Sequence, residues 1–357
     1  MLRLCSMLLM VLITSGCAFF EKKETEPPED EAIVLQYDVE EVADHLSVPW
    51  SINKVKETFY ISERTGSIAV IADGQVERQP VELKKSLAET AEAGLLGFVP
   101  APDFVESQQA YAYYTYLEGD DQFNRVVVLE TDGSVWWETE ILLDKIPSAA
   151  YHHGGRLKVG PDGKLYITTG DATVPKSAQD RYSLNGKILR MNLDGSIPVD
   201  NPFGRDSYVY SYGHRNPQGL AWLGSTLYAS EHGQSAHDEI NLIKPGANYG
   251  WPKIEGREKR AGMATPLFQS GEETWAPSGM AAAKDGKLYV AALRGNAVRE
   301  FDLEKGRTKA VITGLGRIRD VYIDGEYLYF VSNNTDGRGN PDDQDDKLYR
   351  VLLRNLK

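Results

Sequence analysis

Cysteine is almost absent from this 357-residue chain: Cys5 and Cys17 both lie at the extreme N-terminus, so no disulfide can staple the body. Positive charge is also in short supply, with 39 Lys and Arg against 52 Asp and Glu for a formal net charge of −13. That balance excludes nucleic acid and an anionic membrane surface as the main partner, because both reward clustered cations. The apolar run from Leu4 to Ile13, interrupted by Cys5 and Ser6, falls short of the roughly 20 residues that span a bilayer. Long stretches of 3.6-residue periodicity are missing too; Glu82–Ala93 is the best short helical candidate.

Tyrosine and glycine are plentiful, at 19 and 33 residues, and favour strands joined by tight turns. One phrase, an aliphatic or aromatic residue beside Tyr, recurs along the chain. It stands at Phe59-Tyr60, within Ala110–Tyr116, and at Leu165-Tyr166, Leu227-Tyr228, Leu288-Tyr289 and Leu328-Tyr329. Three copies follow an Asp-Gly turn, at Asp162-Gly163, Asp285-Gly286 and Asp324-Gly325. Spacings of about 40 to 62 residues suit one four-stranded propeller blade with its loops. The expected fold is therefore all-β, a six-bladed β-propeller of four-stranded antiparallel blades over residues 33–357; a pair of β-sandwiches is the alternative.

The N-terminus reads as a targeting segment. Arg3, the apolar run and Thr14-Ser15-Gly16-Cys17 resemble the lipobox of bacterial lipoproteins, with Thr14 where Leu is usual. An ordinary secretory signal is the alternative. Residues 1–16 are expected to be a signal peptide, Cys17 the lipidated residue, and 17–32 an acidic, proline-bearing tether unable to bury a core. The expected location is extracytoplasmic, lipid-anchored to the outer face of the cell membrane.

Chemistry must come from loops, because unrelated activities share the propeller. His152-His153-Gly154-Gly155-Arg156-Leu157 precedes a strand that ends in Thr169-Gly170-Asp171. Gly213-His214-Arg215-Asn216-Pro217-Gln218-Gly219, Glu231-His232-Gly233-Gln234, Asp238-Glu239 and Asn248-Tyr249-Gly250-Trp251-Pro252 are dense in polar groups and turn formers. In Gly316-Arg317-Ile318-Arg319-Asp320, alternation aligns two guanidiniums, which repel unless an anion lies between them or an acid such as Asp320 pairs with them.

With Gly94–Phe98, Gly186–Arg190 and Trp275–Gly279, these blocks stand in an order that resembles the soluble quinoprotein glucose dehydrogenase and aldose sugar dehydrogenase family across Val34 to Leu353. The resemblance implies a six-bladed propeller that uses pyrroloquinoline quinone (PQQ) and calcium to oxidise aldoses at C1 to lactones. It implies His152 as general base, Asp171 as its orienting partner, and Arg215 as stabiliser of the developing alkoxide. It places Arg215 and Asn216 at the quinone side, and Arg317, Ile318 and Arg319 with Arg294 and Gly295 around the cofactor's carboxylates. Glu92 falls where the glucose enzymes carry Gln and is expected to orient the pocket. Asn333 stands near a position often held by Asp. The carbonyls of Gly233 and Gln234 match the catalytic calcium site; Glu239 and Tyr249 match a second, structural one. The family pattern of His, any residue, Gly or Ser, any residue, Arg selects His152 and leaves His153 variable, turned to the opposite side of an extended backbone. Expected partners are an aldose, an unidentified electron acceptor and the membrane, for a monomer or a homodimer. A calcium-dependent lactonase and a non-catalytic ligand-binding propeller are the alternatives.

Overall fold

The computed structural model describes residues 38–356, and Cys17 and the proposed tether lie outside them. The described residues form six four-stranded antiparallel blades. Their inner strands are Pro49–Val55, Leu95–Pro100, Leu157–Val159, Pro217–Leu223, Pro277–Ala282 and Ile318–Asp324. Blades 1 and 2 are also joined by a short parallel pairing of their outer strands at Val81–Trp136 and Glu82–Trp137. Blade 6 is completed by the other end of the chain: Glu40–Ala43 pairs antiparallel with Leu348–Leu352 and closes the ring.

The recurring tyrosine phrase is the second strand of every blade: Thr58–Glu63, Gln109–Glu118, Leu165–Thr169, Thr226–Glu231, Lys287–Ala292 and Tyr327–Ser332. Its function is packing. Six hydrophobic clusters fill the six junctions between blades, and Tyr60, Tyr113, Tyr166, Tyr228, Tyr289 and Tyr329 each sit in a different one. Alternation along a strand lets it serve two junctions. In blade 2, Ala112, Tyr114 and Tyr116 face blade 1 while Tyr111 and Tyr113 face blade 3. Each large side chain so buried contributes about 1.5–3 kcal/mol, which makes these junctions the main source of stability.

One expectation needs correction, and one of two open alternatives for the paired arginines falls away. Glu82–Ala93 is not a helix: Glu82 ends a strand and the rest is irregular. Tertiary partners take its backbone instead, since Ala88 N–H donates to the Thr115 carbonyl at 2.9 Å and Lys84 N–H to Glu138 at 2.8 Å. Asp320 does not pair with Arg317 or Arg319. A register shift between Ile318 and Asp320 breaks the alternation, and Asp320 accepts instead from Arg156 Nη1 at 3.0 Å and from Ile52 N–H at 2.8 Å. Arg156 also donates from Nε to the Gln218 carbonyl at 2.8 Å and lies 4.2 Å from the Trp50 ring centroid. Blades 1, 3, 4 and 6 are thus bolted together by one buried ion pair. A Cβ at Gly279 of blade 5 would lie 1.6 Å from Asp320 Oδ1, so only glycine fits there.

Candidate active site

An inner strand and the second strand of its blade run antiparallel, so the start of one lies beside the end of the other, as Pro49 beside Glu63 and Pro217 beside Glu231. Residues just before each inner strand and just after each second strand therefore gather on one rim. His153, Ala276 and Arg317 come from the first set, Arg64, His232 and Arg294 from the second, and all line one cavity of about 300 Å³. Glu92, Arg319, Asp336 and Arg338 complete its charged lining.

Five arginines against two acids line this cavity, a surplus of three positive charges. Arg319 is buried, which lowers its guanidinium to about 9. Its Nη1 donates to Gln218 Oε1 at 3.1 Å and its Nε has no partner among the described residues. Arg294 is exposed and has no ion-pair partner there. Arg317 is committed to Asp336, with Nη2 at 2.8 Å. Burial opposes ionisation of Glu92, yet its 2.9 Å hydrogen bond to Arg338 and that residue's charge bring its carboxyl down to about 2. Burial lowers His153 and His232 each to about 4, so both imidazoles are neutral, and the Nε2 of each is buried without a partner among the described residues.

His152 sits beside Glu92, whose Oε2 accepts its backbone N–H at 3.2 Å. Its Nδ1 lies 2.7 Å from Asp171 Oδ1. Asp171 is fully buried and fixed in turn by Trp251 Nε1 on Oδ2 at 2.8 Å and Thr173 N–H on Oδ1 at 2.9 Å. With Nδ1–H donated to the carboxylate, Nε2 is left as the basic nitrogen. The preceding Gly170 makes this approach possible, for a Cβ there would stand 1.9 Å from the His152 carbonyl oxygen. His152 has φ 65°, so its backbone is not extended and the alternation expected of the two histidines does not apply. Of the two histidines it is His153 that lines the cavity, its Nδ1 2.9 Å from Ser148 Oγ, while His152 is tied to the cavity through its backbone bond to Glu92.

Arg215, Gly233, Glu239 and Tyr249 line a smaller adjoining cleft, which His232 shares with the cavity. Arg215 lies 5.5 Å from the Trp251 ring centroid, its Nε buried and unpartnered among the described residues. Glu231 fixes it by accepting the Arg215 backbone N–H while its other oxygen holds His214 Nδ1 at 2.8 Å. Asn216 commits Oδ1 to Gly154 N–H at 3.0 Å. The Gly233 and Gln234 carbonyls accept no hydrogen bond from the described residues. Burial, then the nearby Glu231 carboxylate, raises Glu239 to about 8, while the Tyr249 hydroxyl donates to the Leu242 carbonyl at 2.6 Å. No group of three or more His, Cys, Asp or Glu side chains able to hold a metal occurs among the described residues. Ile318 turns its side chain into the core between blades 5 and 6, so only its backbone can serve the cavity. Gly295 is held by its N–H to the Trp275 carbonyl at 2.9 Å. Asn333 donates from Nδ2 to Asp336 at 2.8 Å.

Sequence reasoning missed Arg64, Asp336, Arg338, Trp50 and the part played by Trp251. Arg64 carried a signal: it follows Glu63 at the end of its blade's tyrosine strand, as His232 follows Glu231.

A six-bladed propeller with a cation-rich rim and a half-buried histidine held by a buried aspartate defines a class of cavity-bearing enzyme folds. Residues 46–350 match the glucose/sorbosone dehydrogenase family model, and the chain belongs to that family. It is 32% identical to the aldose sugar dehydrogenase YliI of Escherichia coli, over 84% of this chain and 91% of that protein. Among solved structures, the PQQ-bound aldose sugar dehydrogenase of Streptomyces coelicolor superposes with a TM-score of 0.82 at 36% identity, covering 88% of this chain and 98% of that one. A glucose dehydrogenase-type oxidoreductase of Thermus thermophilus does so with 0.82 at 39% identity, covering 89% and 100%.

Proposed function

We propose that this chain is a PQQ- and calcium-dependent dehydrogenase that oxidises the C1 hydroxyl of aldose sugars to lactones. The observation that carries the reading is the surplus of three positive charges around the cavity, which matches a cofactor bearing three carboxylates. A lactonase has no use for that surplus. The donor set fits the group: among the described residues Arg319 Nε and Arg215 Nε have no partner and Arg294 has no ion pair, so these guanidiniums can take carboxylates and the quinone side, with Asn216 next to Arg215 in the chain. The uncommitted Gly233 and Gln234 carbonyls offer the oxygen ligands that calcium prefers, and Glu239 with Tyr249 the start of a second site.

PQQ held by these arginines would supply a hydride acceptor, and calcium held by the Gly233 and Gln234 carbonyls would supply a Lewis acid. The protein's own work is proton management and positioning. His152 takes the anomeric hydroxyl proton at Nε2, and Asp171 stabilises the imidazolium that results. Trp251 keeps Asp171 aimed, and also flanks Arg215, whose guanidinium faces developing negative charge.

The test is reconstitution: purified apoprotein given PQQ and calcium should reduce a dye when an aldose is added. Failure with every aldose tried would defeat the reading. Arg319→Ala should weaken quinone affinity by about 1.5–3 kcal/mol, the worth of a charged hydrogen bond, in a fluorescence titration without sugar. An unchanged titration would show that Arg319 only braces Gln218.

The location is proposed from the first 32 residues. A single acyl chain holds a protein to a membrane only marginally, so retention through Cys17 requires the several chains of a lipoprotein. Cys17→Ser should move the protein to the soluble fraction without changing its melting temperature; a variant that stays on the membrane rules the anchor out.

A further inference from the structure

Asp336 gives Arg317 the contacts that a ligand carboxylate would give. Its side chain is 2% exposed. Its Oδ2 accepts from Arg317 Nη2 at 2.8 Å, Arg317 Nε at 3.1 Å and Asn333 Nδ2 at 2.8 Å, and stands 3.9 Å from Arg319 Nη2. Its Oδ1 takes only the Arg338 backbone N–H, at 2.9 Å. The Nε–Nη2 edge of a guanidinium engages one carboxylate at a time. That edge of Arg317 is filled by the protein's own acid, inside the cavity whose net charge calls for an anion.

The main chain that carries Asp336 is not buried with it. Gly337 and Arg338 are exposed, Gly337 has φ 84°, and the three residues form a turn rather than a strand. Asp336 can therefore be withdrawn by rotation within the turn, with no ladder to break. Arg338, two residues on, bonds Glu92 at 2.9 Å, so the same turn also reaches the loop that leads into blade 2.

Without an acid here, Arg317 and Arg319 would be two buried like charges facing each other, a costly arrangement. With the acid permanently in place, an incoming carboxylate would meet both repulsion and an occupied fork. We propose that Asp336 is a stand-in anion that holds Arg317 in the cofactor-free protein and yields it to a carboxylate of the cofactor, so that Asp336 sets cofactor affinity. The proposal rests on the quinone reading above and deepens it.

The full chain, purified free of cofactor, is titrated with PQQ and, separately, with trimesate, a plain tricarboxylate. No sugar is present, and the signal is tryptophan fluorescence, because Trp50 lines the cavity. Wild type is compared with Asp336→Asn, with Asp336→Ser as a second neutral variant. Removing a like charge at contact distance should tighten binding of both probes by about tenfold or more. The neutral variants should also melt lower than wild type when empty, with the gap closing when a probe is bound. Equal or weaker binding by a neutral variant that keeps the wild-type circular dichroism would overturn the proposal and make Asp336 a fixed bracket for Arg317. Trimesate bound more tightly by the variants, with PQQ bound by none of the proteins, would sink the quinone reading and leave the stand-in role intact. Neither probe binding any of the proteins would end both.

Discussion

Replacing His152 with alanine should lower sugar oxidation by about 10²–10⁴-fold, the usual worth of a general base, while quinone binding survives. The expectation follows from the chain of contacts behind its ring: Nδ1 on Asp171, and Asp171 on Trp251 and Thr173. Such a chain fixes both tautomer and direction, which a general base needs and a surface histidine does not. His153 lacks it. Its Nδ1 meets Ser148, and its neutral ring lines the cavity with an Nε2 that has no partner among the described residues. His153→Asn should therefore change turnover by less than about tenfold, through positioning alone. Single-turnover reduction of the quinone by sugar, with the melting temperature of each variant, separates the two. A larger rate loss in His153→Asn at equal stability would transfer the chemistry to the second histidine.

The largest expected loss of stability lies below the cavity. Asp320→Ala leaves Arg156 buried and uncompensated, at a cost of about 3–5 kcal/mol. Both side chains are 1% exposed, so water cannot make up for the lost partner. Replacing both, as Arg156→Met with Asp320→Leu, removes the stranded charge and should recover at least half of that loss. Urea unfolding of the three proteins tests this. A double variant no more stable than Asp320→Ala would mean that the hydrogen bonds to Ile52 and Gln218, rather than the charge, hold the blades.

What could be read from the sequence was what repeats. The tyrosine phrase is legible because every blade has the same wedge to place, and six copies at blade spacing leave few other folds. His152, Asp171 and Arg319 are legible because they stand in ordered blocks beside strands. Asp336 and Arg338 are not, since a lone charge in a loop carries no pattern and its partners come from distant blades. Glu92 and Arg338 are 246 positions apart. The true partner of Asp320 was hidden for a related reason: alternation holds only while register holds, and after the register shift before it the carboxylate meets Arg156. His152 shows the same limit, because a positive φ removes the two-sided backbone on which the comparison with His153 depended.

The seam in blade 6 has a consequence for how the molecule comes into being. Glu40 bonds Arg350 across 310 positions, so the strand made first finds its neighbour last. Contacts this distant in sequence form slowly, because the intervening chain must be organised before they are rewarded. Until Leu348–Leu352 emerges, five blades can assemble in turn, yet the rim that gathers Glu92, Arg317 and Asp336 has a missing side. A chain cut short within Leu348–Leu352 would lose the pairing with Glu40–Ala43 that closes the ring. Glu40–Ala43 waits meanwhile as an unpaired edge, open to a neighbouring chain's last strand, and two molecules that exchanged these strands would each complete the other's ring.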